Sequence, residues 1–270
     1  MFAKYVARVV FTKSFPQSCP PTELRERMFF LLEHILFSFF GYYSVIHVPG
    51  HSSWYFHPKE CWVYPPIFPS QAFHLFYIAK LGTHFEDVLF RVGQMLHKRE
   101  TQLASKGSNM RNANGDGELA ASGRADVMMD IHHIAAASLC ILSYYSGYHR
   151  IGSLLMLIHD ISDVPLDMLR VFMALDWEIP MYCSYVATIL AWSYLRVWVL
   201  GGVILRTVVM DTTTSFIFPC QNAIHNPDCV FAFYAEMSVY VVLIGALWVL
   251  HVLWFRKMVL KGYRLFTGNS

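Results

Sequence analysis

Residues 129–172 read MDIHHIAAASLCILSYYSGYHRIGSLLMLIHDISDVPLDMLRVF. Two apolar segments flank the turn Gly147-Tyr148-His149-Arg150, and each approaches the ~20 residues that a membrane-spanning helix needs. Yet they contain His132, His133, His159, Asp160 and Asp163. Ionisable groups are costly in lipid and turn toward a cavity or toward one another, so such a cluster is a functional-site hypothesis by default.

The rest of the chain supports a membrane setting. Of 270 residues, 55% are hydrophobic and 16% aromatic, and only 15% are charged, against ~25% in an ordinary soluble domain. Mean hydropathy is +0.38. The net charge of +2 names no partner, and no Lys/Arg block offers a nucleic-acid footprint. Residues 1–16, MFAKYVARVVFTKSFP, hold an apolar run too short and interrupted for a secretory signal, so the first span is expected to act as the targeting signal.

The pattern predicts an all-α, polytopic transmembrane helix bundle with about six spans, near 28–48, 71–94, 127–148, 151–173, 182–208 and 230–256. The second carries His74, Lys80, His84, Glu86 and Asp87, and is expected to be buried or to line a cavity. Loop 95–126 and the tail after the sixth span are basic, whereas loop 49–70 has only Lys59 and loop 209–229 has no Lys or Arg. Basic loops mark the cytosolic side, so both termini are placed there. The Gly-, Ser- and Asn-rich stretch 103–123 reads as flexible loop. The domain plan is a lead-in at 1–22, one membrane domain at 23–264 with a long cytosolic loop at 95–126, and a tail at 265–270.

Within the hairpin, helix geometry brings chemistry together. The short turn forces the third and fourth helices antiparallel. His132 and His133 therefore return to the depth of His159 and Asp160 on the facing helix. Asp160, Asp163 and Asp167 are spaced i, i+3, i+7 and share one face, and His159 and Asp163 are an i, i+4 pair. Pro165 is expected to kink the helix beside them. Carboxylates crowded in apolar surroundings need histidines or a cation as partners. An imidazole beside a carboxylate suits general-base or nucleophilic catalysis. For any single one of these histidines, a hydrogen-bonded structural role is the blander reading.

No metal is expected. Adjacent helical residues diverge by ~100°, so His132 and His133 do not share an ion easily. The HxxxH of His47 and His51 contains Pro49 and Gly50 and cannot form one helical face. Six cysteines include no CxxC pair. Cys220 and Cys229 bracket one polar loop and are either a disulfide or two thiols, while Cys140 and Cys183 read as packing residues. Tyr144, Tyr145 and Tyr148 read as packing and interfacial residues.

Those same residues resemble the signature of the longevity-assurance ceramide synthases, within the TLC-domain membrane proteins. His132-His133-Ile134-Ala135, then Arg150-Ile151-Gly152-Ser153-Leu154, then His159-Asp160-Ile161-Ser162-Asp163 follow in the family's order and spacing. Looser similarity includes Trp54, Trp62, Gln71 and Leu195-Arg196-Val197, although Gly201-Gly202 replaces the family's Pro-Phe. The resemblance implies transfer of a fatty acyl group from acyl-CoA to the amine of a sphingoid base in the endoplasmic reticulum membrane. It implies no cofactor beyond that co-substrate and is compatible with a homodimer or heterodimer. His132 or His133 would be nucleophile or general base, and His159 catalytic or a supporting hydrogen bonder. Asp160 would orient a histidine, and Asp163 would hold or deprotonate the amine. Arg150, Asp167, Arg196 and Arg124 are the expected substrate-binding residues, with Lys98, Arg99 and Lys106 beside Arg124 as candidates for the CoA phosphates. A non-catalytic lipid-binding, lipid-transfer or membrane-assembly protein is the first rival, and an acyltransferase with another acceptor the second.

Overall fold

Six helices form in the order the hydropathy implies. In this computed structural model, which describes residues 21–46, 61–62, 70–106, 116–211 and 227–267, α1 spans Pro21–Gly41 and α2 Gln71–Lys106. Next come α3 at Asp116–Tyr145, α4 at His149–Ala174, α5 starting at Glu178–Ala191, and α6 at Pro227–Thr267. No strand occurs among the described residues. Tyr42–Ile46 extends α1, and Trp192–Leu205 and Thr207–Asp211 extend α5, with wide π-type turns. Such turns are uncommon and cluster at functional sites.

Four of the six, over Thr22–Ile46, Val127–Tyr145, Glu178–Met210 and Phe231–Arg264, are long and apolar enough to cross a membrane. The protein is a multi-pass membrane protein. α2 and α4 were expected to span as well, and they fall short by composition because Lys80, Glu86 and Asp87 interrupt the first and Asp160, Asp163 and Asp167 the second. α4 packs most extensively: thirteen of its side chains are buried, Ser153, Ser162, Asp160 and Asp167 among them. It runs unbroken through Pro165. α2 does both things at once. Its Lys80 is buried, while Leu75, Phe85, Leu89 and Phe90 are exposed, as suits a lipid-facing stripe.

The expected 95–126 loop is mostly helix in the described residues, since α2 continues to Lys106 and α3 begins at Asp116. Alanine, glutamate and leucine in 116–121 supply helix propensity that the glycines only weaken. The turn between α3 and α4 is three residues long. Gly147 takes φ +81°, a left-handed conformation that favours glycine.

Helix contacts depend on small residues, because lipid offers no hydrophobic drive and close van der Waals packing must hold the bundle. Gly201 is the clearest case. A Cβ there would lie 2.0 Å from Trp248 Nε1, and that indole N–H donates to the Val197 carbonyl at 3.0 Å. The departure from Pro-Phe therefore makes room for a tryptophan from α6. At the far end, Trp62, Tyr148 and Tyr240 pack with ring centroids 5.6–5.7 Å apart, and Trp62 Nε1 donates to Thr207 Oγ1. Tyr148 is thus core, whereas Tyr145 is exposed. Cys140 is buried as expected, but Cys183 faces outward. His47, His51 and Cys220 lie outside the described residues, as does the Cys229 side chain.

Candidate active site

A cavity of about 610 Å³ runs into the bundle between all six helices. At its mouth stand Phe30, Arg91, Met129, Arg170 and Met258, and Leu139, Cys140, Gly152 and Leu247 line its inner end. His132, His133, His159, Asp160, Asp163, Asp167 and Arg196 all line it.

The antiparallel hairpin does what the spacing implies. The His132 and His159 rings lie 5.8 Å apart. A third imidazole, His251 from α6, completes the group at 5.2 Å from His132 and 4.9 Å from His159. His159 Nδ1 is 2.6 Å from the Leu155 carbonyl. A carbonyl only accepts, so Nδ1 carries the proton and Nε2 keeps its lone pair. His159 Nε2, His132 Nδ1 and His251 Nδ1 are buried and make no hydrogen bond. Unpaired buried polar atoms are costly, and three in one cluster mark a place prepared for something else. His133 stands apart, with Nδ1 3.7 Å from Asp87 Oδ2.

Each crowded carboxylate has found a cation. Asp160 Oδ1 accepts from Lys80 Nζ at 2.7 Å, with both side chains 5% exposed or less. Lys80 also lies 4.5 Å from the Phe37 ring centroid. Asp160 Oδ2 is left without a partner. Asp163 accepts from Arg196 Nη2 at 2.5 Å. Asp167 meets His34 Nδ1 at 2.6 Å and accepts from Arg170 Nη1 at 2.9 Å. Asp160 makes no hydrogen bond to a histidine, Asp163 pairs with an arginine and not with its i, i+4 histidine, and His159 Nδ1 bonds a carbonyl of its own helix. The structure supplies protein cations where the sequence left the partners open.

Arg196 ties three helices together. Its Nε donates to Ser162 Oγ at 2.6 Å and its Nη2 to the His159 carbonyl at 3.2 Å. Nη1 is 3.5 Å from His251 Nε2, and the guanidinium lies 4.1 Å over the Trp192 ring. Trp192 in turn donates its indole N–H to the His251 carbonyl. Because an arginine only donates, it leaves His251 Nε2 as acceptor and puts the proton on Nδ1.

Arg150 does not join the site. It sits in the first turn of α4, nine residues from His159, or ~13 Å along the helix axis. Its carbonyl accepts from Ser153 Oγ. Arg124 lies on α3, but its side chain falls outside the described residues, as do those of Lys98, Arg99 and Lys106. Sequence reading missed Glu33, His34, Arg91 and His251 as cavity residues, whereas Lys80, His84 and Asp87 line the cavity as expected of the second span.

One set among the described residues could hold a metal: His132, His159 and His251 present ligand nitrogens within 4.8 Å of one another. Sequence reasoning about the adjacent pair could not find this trio, since His251 comes from α6. The charge around it is unsuited to a cation, however. A guanidinium ~5 Å from a dication costs several kcal/mol at an effective dielectric of ~20, and Asp163, its ion-pair partner, offsets part of it. Proton and acyl chemistry fit the trio better.

Comparison with known proteins gives the family. The TLC-domain family model matches residues 23–260. The chain belongs to the TLC-domain family. It is 30% identical to human ceramide synthase 3 over 51% of this chain and 31% of that one. It is 27% identical to sphingosine N-acyltransferase lag1 of Schizosaccharomyces pombe over 77% of this chain and 45% of the relative. Against ASC1-like protein 1 of rice it is 28% identical over 46% of this chain and 37% of the other. The chain thus spans less than half the length of these relatives.

Proposed function

We propose that this TLC-domain protein is a ceramide synthase, transferring a fatty acyl group from acyl-CoA to the primary amine of a sphingoid base in the endoplasmic reticulum membrane. The observation that carries this reading is the trio of unpartnered imidazole nitrogens on the wall of a cavity that is also lined by Asp160, whose second carboxylate oxygen is unpartnered. The similarity to relatives named ceramide synthase and sphingosine N-acyltransferase supports it.

Each group has a role that its bonding permits. A nitrogen of His132 attacks the thioester carbonyl, the C–S bond breaks, and CoA leaves as a thiolate that takes up the proton from the other nitrogen of the acylated imidazole. His251 Nδ1–H points its donor at the oxyanion that forms on the way, an interaction worth most where water is excluded. The sphingoid amine then attacks the acyl-imidazole. An amide forms, the bond to His132 breaks, and His159 Nε2 accepts the proton shed by the amine. Asp160 Oδ2 accepts a hydrogen bond from the incoming amine or its neighbouring hydroxyl. Asp163 holds Arg196, and through it the positions of His159 and His251. Arg91 and Arg170 at the mouth are placed to meet the phosphates of CoA.

The test uses membranes containing the full chain, dihydrosphingosine and acyl-CoAs of graded length. Dihydroceramide should form with the wild type and fall at least ~100-fold in His132→Ala, the low end for loss of a positioned catalytic imidazole. A folded wild type that yields no dihydroceramide with any acyl-CoA would overturn the proposal in favour of a lipid-binding or membrane-assembly role.

A further inference from the structure

Resting on the ceramide synthase reading, we infer that Tyr77, braced by Ser143 and seated against Gly152, is the stop that sets acyl-chain length in this protein.

The cavity has a polar half and an apolar half. Beyond the histidines its walls are Ala136, Leu139, Leu155, Met156 and Leu247, which offer an acyl tail nothing to hydrogen-bond. Its inner end is reached at Gly152 and Cys140. Directly behind them lies Tyr77, wholly buried. Its hydroxyl donates its one proton to Ser143 Oγ at 2.5 Å and lies 2.9 Å from the Cys140 carbonyl. Ser143 is fixed in turn by donating to the Leu139 carbonyl at 2.6 Å. Gly152 allows this seating, because a Cβ there would come within 2.4 Å of both the Tyr77 and Ser143 oxygens. The phenol is therefore bonded to one helix, pressed against another and rooted in a third. A residue held this firmly makes a hard wall.

The depth follows from helix rise. From His132 to Leu139 and from His159 back to Gly152 are seven residues each, so the wall stands ~10 Å beyond the imidazoles. One leaflet of the hydrocarbon core is ~15 Å deep, so the apolar half holds about two-thirds of an ordinary lipid tail. The protein should therefore favour acyl groups on the order of ten to fourteen carbons. Discrimination should approach tenfold once methylenes are forced against the wall.

The test compares wild type, Tyr77→Leu and Leu139→Phe with acyl-CoAs from eight to twenty-four carbons, following both dihydroceramide formation and thermal stabilisation of the purified protein by each acyl-CoA. Tyr77→Leu shortens the wall and should move the optimum to longer chains by two or more carbons. Leu139→Phe fills the apolar half and should move it to shorter ones. Because stabilisation needs no turnover, an optimum that moves without product formation supports the stop while overturning the catalytic reading. Product with the same optimum in all three proteins overturns the stop alone. Absence of both product and chain-length-dependent stabilisation in the folded wild type overturns both.

Discussion

Replacing Lys80 by methionine is the sharpest test of the bundle's internal electrostatics. Lys80 Nζ and Asp160 Oδ1 are 2.7 Å apart, their side chains are 5% and 3% exposed, and Asp160 has no second partner. Methionine matches the lysine stem and keeps its contact with Phe37, so little packing is lost. What remains is a stranded carboxylate, and breaking a buried pair in this way costs ~3–5 kcal/mol. For a chain of this size each kcal/mol lowers Tm by about 2–4 °C, so the fall should be roughly 6–20 °C. Lys80→Met combined with Asp160→Asn removes the stranded charge and should recover most of that loss, since an ion pair replaced on both sides is close to neutral. Thermal unfolding of the purified protein in detergent, with the three variants side by side, reads the result. A Lys80→Met protein melting within a degree or two of wild type would refute the reasoning, and so would a double variant no better than the single one.

Arg196→Lys keeps the charge but cannot reproduce the donors to Ser162, the His159 carbonyl and Asp163 together. It should lower acyl transfer at least tenfold, and wild-type turnover in this variant would show that charge alone matters. Gly152→Ala drives a methyl into the Tyr77–Ser143 contact and should cost ~1–3 kcal/mol. Gly82→Ala meets nothing within 4 Å and should be neutral or stabilising by up to ~1 kcal/mol; equal Tm changes in the two would argue against the close α2–α4 approach. His133→Ala, which lies outside the imidazole trio, should retain more activity than His132→Ala, and the reverse order would move the nucleophile to His133.

Local periodicity carried much of this site. The Asp160, Asp163 and Asp167 face and the His132–His159 approach both follow from helical spacing around a turn that admits only an antiparallel return. The missed residues have no such pattern. His251 stands among apolar neighbours and His34 beside Glu33, and the partners are distant in sequence, as is Asp160 from Lys80: Asp167 for His34 and Arg196 for His251. Hydropathy scored Lys80 against its span, although the same residue neutralises the carboxylate that most needed a cation. Arg150 is not among the cavity residues for the opposite reason. Its motif lies close to the histidines in sequence, but helix rise carries it to the other end of the bundle. The number of helices was legible, while the helical ends of the 95–126 segment were not, since its glycines and serines masked the favourable residues around them.

The Arg196 cluster has a consequence for biogenesis. A nascent chain enters the membrane from its N-terminus, so Asp163 arrives well before its guanidinium and the His159 ring before that of His251. Until α5 is in place, α4 presents an uncompensated carboxylate to lipid or to neighbouring proteins. A chain cut short before Trp192 would hold that charge permanently. The same polar residues that line the cavity thus distinguish every unfinished copy from a finished one.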